Sequence, residues 1–544
     1  MNKTLLLAAA FFAGISMAPA QVSNWLWARA AGGTFIDQVQ DVCTDPNGNL
    51  VAVGIFASDT LVFGTDTLKT SSFHTALFIV KYDPSGNVLW ADYKSGAATI
   101  TANNVTADAS GNIYVTGNFF TPILSFGSDT LINAGSGDAF IAKLDAAGNE
   151  LWARSASGPA LDAGQGICTD PAGNVIFTGA FAGPTVTFDS TVLTGSSDLF
   201  IAKYDSAGNL LWARSEGGSN IDEGTGVTTD AAGNILVCGI FMSTPITFGS
   251  TTFSSAGDYD VFLVKYDPNG VVQWAQAAGS SQREMSTDIQ TDYSGNVFMS
   301  GYFESDTLIF DTFALTKYGS GASDAFIVKY DNTGRVLWAK EAGGPYIDNA
   351  DGIAVDDSGY VNAAGFFDGQ VFFGATSLSG NGSYDAFVAR YDPAGNLVWA
   401  LNGGGTDDDM PYSIAVDHTG NCYIGGSFQS STMTLGTTVM HSVGPATNDI
   451  FVAKLGPGPT GFEDHSAKNN ILIYPNPAES NIYLYSMNRR IEKAELYDAM
   501  GRMIMKQFIN GLETSMDVHT LPPGLYVLKT VSGNDVYVSK IVKE

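Results

Sequence analysis

Ten residues after each of Trp27, Trp90, Trp152, Trp212, Trp274, Trp338 and Trp399, the chain places Asp37, Ile100, Asp162, Asp222, Glu284, Asp348 and Asp409. Six carboxylates at one position of a seven-fold pattern, beside a central channel, would concentrate negative potential. They could collect Ca²⁺, which takes several carboxylate and carbonyl oxygens. The structural alternative is a turn cap, because an Asp ahead of a strand hydrogen-bonds nearby backbone. No D-x-D-x-D-G loop accompanies the acids, so no firm metal site follows and Ca²⁺ stays a candidate cofactor.

No catalytic residue stands out. His74, His418, His441, His465 and His519 are scattered, and the chain carries no HExxH pair, no G-x-S-x-G elbow and no phosphate-binding loop. Carboxylates are too numerous for one acid/base couple to stand apart. A surface hydrolase or lyase is an alternative, since fold alone does not decide function.

The elements that position these residues are set by a repeat. The seven tryptophans, each followed by Ala, recur every 60 to 64 residues, and each copy holds a strand such as "DAFIAKLD" at 138 or "DAFIVKYD" at 324. D-x-x-G turns begin at Asp45, Asp83, Asp108, Asp145, Asp170, Asp205, Asp230, Asp267, Asp292, Asp331, Asp356, Asp392 and Asp417. In such turns the Asp carboxylate accepts backbone N–H bonds and Gly takes the φ > 0 position. Four short alternating strands per copy, A to D, predict β-sheet. Seven four-stranded units predict an all-β, seven-bladed β-propeller.

The seventh unit lacks a D strand, while residues 24–32 are a D strand without a preceding C. The N-terminal strand is therefore expected to complete the last blade, removing an edge that would invite aggregation. The pattern "GxxxD…GNxyxtGxF…DaFxaKyDxxGnxxWa" over residues 24–455 resembles the bacterial β-propeller repeats called SBBP repeats. That resemblance implies architecture and brings no catalytic or binding residues with it.

Length varies only between the A–B Asp and the C-strand Asp, so the B–C connections form the face on which recognition is expected. Phe63, Phe126, Phe188, Phe248, Phe310, Phe373 and Leu435 recur there and predict an ordered hairpin with a packing residue. The tryptophans are expected to pack between blades.

Residues 1–20 read as a secretory signal peptide: Lys3, an apolar run shorter than the ~20 residues that span a bilayer, then Ala18-Pro19-Ala20. No transmembrane helix is expected. The net charge of −29 lies almost wholly upstream of residue 471, because residues 471–544 hold eight basic and eight acidic side chains. Such a body repels nucleic acid and anionic lipid. Cys43, Cys168, Cys238 and Cys422 have no metal-site spacing and are expected to be small buried hydrophobes.

Residues 456–470 read as a linker, and 471–544 as a small β-sandwich. Four motifs occur there in order: Tyr474-Pro475-Asn476-Pro477, then Leu496-Tyr497-Asp498-Ala499-Met500-Gly501-Arg502, then Leu521-Pro522-Pro523-Gly524-Leu525-Tyr526, then Lys540-Ile541-Val542-Lys543. They resemble the C-terminal sorting domain of the Bacteroidetes type IX secretion system. That resemblance implies passage through the periplasm, engagement of the outer-membrane translocon and its surface processing machinery, and a secreted or cell-surface destination. A propeller of residues 21–455 delivered there is expected to be a monomeric binding or adhesion scaffold for an extracellular protein or glycan. A purely structural surface component is a further alternative.

Overall fold

The computed structural model describes residues 25–70, 74–319, 322–444 and 447–456. Beyond 470 it describes all but 475–477, 479, 487–489, 499–501, 523, 533–534 and 544. The segments read as signal peptide and as linker lie outside the described residues, Gly456 excepted. The chain divides into two compact units, Ser23–Pro457 and one containing Gly458–Glu544.

The described residues are strand, turn and bend, with no helix. In the first unit each repeat folds into an antiparallel sheet in chain order, the first from Asp37–Thr44, Leu50–Phe56, Ala76–Tyr82 and Val88–Lys94. Seven such four-stranded arrays lie among the described residues; a hairpin extends the second array to six strands. The seventh has no D strand after Asp449–Leu455, and Trp25–Ala31 pairs antiparallel there, from Trp25 opposite Leu455 to Ala31 opposite Ile450. The strand expected from residues 24–32 thus stands where the pattern requires it. Each A strand lies beside the A strands of the preceding and following sheets, and Asp409–Val416 lies beside Asp37–Thr44.

The turns have the expected chemistry. Asp45 Oδ1 accepts the N–H groups of Asn47 and Asn49 at 2.8 and 3.0 Å, and its Oδ2 accepts the Asn49 side-chain amide at 2.8 Å. The thirteen turn glycines have φ between 73° and 89°, a region that a Cβ disfavours. The B–C connections are ordered hairpins, such as Thr60–Phe63 with Asp66–Lys69, and Phe63 and its six equivalents are buried. In the sixth sheet the hairpin merges with the B and C strands, giving Val361–Phe373 and Thr376–Tyr391.

Neighbouring sheets are joined by more than apolar packing. Trp152 lies against Gly208 of the next sheet, and its indole N–H donates to Ser206 O at 3.2 Å. Lys203 Nζ stands 2.9 Å from Asp170 in its own sheet and donates to Pro268 O in the next at 3.1 Å. At the chain ends Trp27 and Lys454 both donate to Pro84 O of the first sheet, at 3.1 and 3.3 Å. The tryptophans therefore pack between sheets. Trp399 Nε1 has no partner, because the seventh sheet has no C–D turn to receive it.

The second unit has a three-stranded sheet (Ile471–Tyr474, Asn481–Ser486, Glu513–Asp517) and a four-stranded one (Ile491–Asp498, Met503–Gly511, Gly524–Ser532, Asp535–Lys543). Both sheets contribute to one core, Ile482 and Leu484 from the first and Leu496, Leu528 and Ile541 from the second.

The Lys203–Asp170 pair is 4% exposed on each side, so Lys203→Met strands a buried carboxylate. The expected cost is about 3 kcal/mol, because breaking a buried pair leaves one charge uncompensated. Arg283→Ala, which breaks a pair with Asp258 that is 43% and 46% exposed, should cost less than about 1 kcal/mol. Urea denaturation of the two variants checks the difference; equal losses would contradict this account of the junctions.

Candidate functional site

A cavity of about 720 Å³ is lined by the A strands of all seven sheets. Each sheet supplies one side chain at the same register: Gln40, Asn103, Gln165, Thr225, Thr287, Asp351 and Tyr412. The lining includes the carboxylates of Asp41, Glu223, Asp288 and Asp351, and none of its described residues is Lys, Arg or His. Asp41 accepts the Val105 N–H at 2.7 Å and Asp288 the Ile353 N–H at 2.9 Å, so both tie one inner strand to the next. Burial pushes Asp41, Asp288 and Asp351 up to about 7.

The repeat breaks beside this cavity, on the end nearer the B–C connections. The penultimate B-strand residue is Ile55, Asn118, Ala180, Ile240 or Ser427 in five sheets, but Tyr302 and Phe366 in the fifth and sixth. Phe366 meets Tyr384 edge to face at 5.0 Å. Tyr412 shares a hydrogen bond with Ser427 at 3.2 Å. Asp351 acts electrostatically on Tyr302 and Tyr412, and Asp408 on Tyr412, Tyr384 and Asp368. Burial first, then these carboxylates, raises the Tyr384 phenol. All seven residues are half-buried. Aromatic faces offer stacking and cation–π contact, and carboxylates accept from hydroxyl or ammonium donors. The repeat hid these residues; departures from it at fixed positions were the available signal.

The six repeated acids stand elsewhere. Asp37, Asp162, Asp222, Glu284, Asp348 and Asp409 each open an A strand and are fully buried between sheets, outside the cavity lining. Each faces a second acid, the Asp of the C-strand repeat in the preceding sheet, which opens that strand in all but the sixth sheet: Asp449, Asp138, Asp198, Asp260, Asp324 and Asp385 respectively. That partner set was legible as the leading Asp of "DAFIAKLD" but was read only as strand pattern. At the seventh junction both acids are missing: Ile100 donates its N–H to Thr75 O, beside Ala76.

Serine decides how well the A-strand acid is held. Ser58, Ser243 and Ser430 donate to Asp37, Asp222 and Asp409 at 2.7, 2.6 and 2.8 Å, while accepting the N–H groups of Phe35, Asn220 and Asp407. This is turn capping. Gly183 and Gly369 stand at the corresponding positions of the third and sixth sheets, so Asp162 and Asp348 have no serine donor, and the Gly158 and Gly344 N–H groups reach them without a well-formed hydrogen bond. Burial, then the facing carboxylate, pushes Asp162 up to about 8 and Asp348 up to about 9. The serine-held acids rise less, Asp37 and Asp222 to about 6 and Asp409 to about 7.

In the second unit, Tyr526 is buried and its hydroxyl donates to Pro522 O at 2.9 Å, closing the turn before Gly524. Arg502 is exposed. Pro475, Asn476, Pro477 and Gly501 lie outside the described residues, as do the side chains of Tyr474 and Asp498. The four cysteines are unpaired, and burial raises the Cys238 and Cys422 thiols to about 12.

A carboxyl whose folded pKa is raised binds protons in the folded state that the unfolded state has already lost. The stability that these two carboxyls contribute is therefore fully present below about pH 4 and is lost as pH rises through the folded values, about 8 for Asp162 and about 9 for Asp348. In metal-free buffer at pH 9, Asp348→Asn should raise the melting temperature by about 1–3 °C and flatten its pH dependence. Thermal melts from pH 5 to 9 check this; a variant less stable at pH 9 would contradict it.

Among known proteins, the chain is 24% identical over 504 residues to an uncharacterized WD repeat-containing protein of Acanthamoeba polyphaga mimivirus, covering 75% of this chain and 36% of that one. It is 26% identical over 270 residues to the regulatory protein FlaEY of Caulobacter vibrioides, covering 45% and 27%. The chain thus spans about a third of the length of the curated relatives it matches. A match of 9% identity covers 95% of this chain and all of PorZ, a surface component of the type-IX secretion system of Porphyromonas gingivalis; its TM-score of 0.14 carries no argument. Residues 472–544 match the family model of the secretion system C-terminal sorting domain. That module marks the chain as a substrate of type IX secretion, engages the secretion machinery, and makes this a secreted or cell-surface protein.

Proposed function

We propose that residues 21–455 form a seven-bladed β-propeller of SBBP-type repeats that acts outside the cell as a binding or adhesion scaffold. Residues 1–20 are its signal peptide, 456–470 a linker and 471–544 the sorting domain. The propeller reading is supported by seven four-stranded antiparallel arrays, the cyclic adjacency of their A strands, and the pairing of Trp25–Ala31 with Asp449–Leu455. The ligand is a protein or a glycan, and the propeller is a monomer.

The observation that carries the binding role is the loss of repeat symmetry at Tyr302, Asp351, Phe366, Asp368, Tyr384, Asp408 and Tyr412. At the structural positions of the repeat, such as the turn Asp and Gly and the D-strand Trp, the same residue recurs because it does the same work. Here neighbouring repeats supply aromatic rings and carboxylates that no sheet-packing requirement imposes. Half-buried aromatics beside hydrogen-bonding acids suit sugar rings or the basic side chains of a protein.

Tyr384→Ala and Asp408→Asn, alone and together, should weaken binding to a surface-protein and glycan array at least tenfold while leaving the melting temperature within about 2 °C. Asp59→Asn, an exposed acid on the first sheet, should leave binding unchanged. Equal losses in Asp408→Asn and Asp59→Asn would reduce the effect to net charge and remove the site. A chain ending at residue 456 should be retained in the periplasm; cell fractionation checks this, and normal surface delivery would contradict the role given to the tail.

A further inference from the structure

The paired acids at the sheet junctions are not accounted for by turn capping alone. Oδ1 of Asp138, Asp198, Asp260, Asp324, Asp385 and Asp449 is buried without a hydrogen-bond partner in every case. In five of the six, Oδ2 does accept a loop N–H, as from Ala134 to Asp138 at 2.9 Å and from Ala256 to Asp260 at 2.7 Å. The loop N–H groups therefore fix the orientation of these five carboxylates. Buried carboxylate oxygens without donor or cation are costly, and native structures rarely leave them so.

A Cβ on Gly404 would lie 1.9 Å from Asp385 Oδ1 and 3.2 Å from Asp409 Oδ2, so both carboxylates of that junction lie against the same stretch of backbone. Gly32, Gly217, Gly279 and Gly343 each lie against their own C-strand acid, with a Cβ within 2.3 Å of it. The acids are also lost together. The junction with Ile100 has Ala76 opposite, both fully buried, where independent turn caps would have no reason to disappear as a pair.

We propose that each of the six acid-paired junctions binds one divalent cation, calcium in the extracellular medium, between the carboxylate that opens an A strand and that of the C-strand Asp in the preceding sheet. Two carboxylates balance its charge, and loop carbonyls and water complete an oxygen shell of the kind calcium accepts. Among the described residues no three His, Cys, Asp or Glu side chains converge, so the site is a two-carboxylate one. Affinity in the range of about 10⁻⁴–10⁻³ M, typical of extracellular modules, suits such a donor set.

The full chain, stripped with chelator, is titrated with CaCl₂ while bound calcium is counted by equilibrium dialysis and the melting temperature is followed. About six ions should bind, one for each acid pair, and the melting temperature should rise with concentration. The double variant Asp138→Ala with Asp162→Ile copies the Ala76 and Ile100 junction. It should fold without metal, bind one ion fewer and show a smaller shift. No calcium bound at millimolar concentration with an unmoved melting temperature would overturn the proposal and leave each pair sharing a proton. A double variant that binds as many ions as the parent would place the calcium elsewhere and equally overturn it.

Discussion

The rest of the first unit depends on the pairing of Trp25–Ala31 with Asp449–Leu455. Without it the last sheet has three strands, an open edge, and no tryptophan to reach the first sheet's C–D turn. With it the junction between last and first sheets gains the donors found at five of the other six: an indole and an ammonium on one carbonyl, here Trp27 and Lys454 on Pro84 O. A strand far apart in sequence from its partner carries a large loop-closure cost, which only the contacts formed on closure can offset. The last junction therefore ties the stability of seven small sheets together.

The junctions divide the work by face. On the side of the D-x-x-G turns, charge is neutralised within the fold, as where Asp170 takes Lys203 and three hydrogen bonds from its own turn. On the side of the B–C connections, acids face acids and only some are held by serine. The first arrangement tolerates no change, which explains the uniform spacing of that face. The second leaves oxygen ligands turned inward and loop residues free to differ. A scaffold whose repeated positions are committed to closure can present unlike residues, such as Tyr302, Phe366 and Tyr412, without disturbing its neighbours.

Much of this was legible in the sequence because it repeats. Seven tryptophans at near-equal spacing, thirteen Asp–Gly turns and a D strand displaced to the N-terminus predicted the sheets, the turn geometry and the pairing of the chain ends. Asp37 and its equivalents were singled out as a ring of acids, but their burial was not legible. A channel wall and a sheet junction lie a few residues apart on the same strand, and alternation alone does not say which neighbour covers a given face. The facing set, Asp138 and its equivalents, was hidden by regularity: an Asp that recurs in the C-strand repeat reads as a strand boundary. Tyr302, Asp351 and Tyr412 were hidden for the opposite reason, since only alignment by strand register shows that they replace Ile, Gln or Thr. In the sorting module the motifs were readable from sequence, because an address is recognised by its own residues.

The central claim is that one strand from the N-terminus holds the seven sheets together. Hydrogen–deuterium exchange on the exported chain, with and without residues 25–31, tests it most directly. The account predicts that deletion speeds exchange in the A strands of all seven sheets, including Glu284–Thr291 on the far side of the repeat order. Faster exchange confined to Asp449–Leu455 and Asp37–Thr44, with the other sheets unchanged, would show that the sheets are stable in isolation and would contradict it.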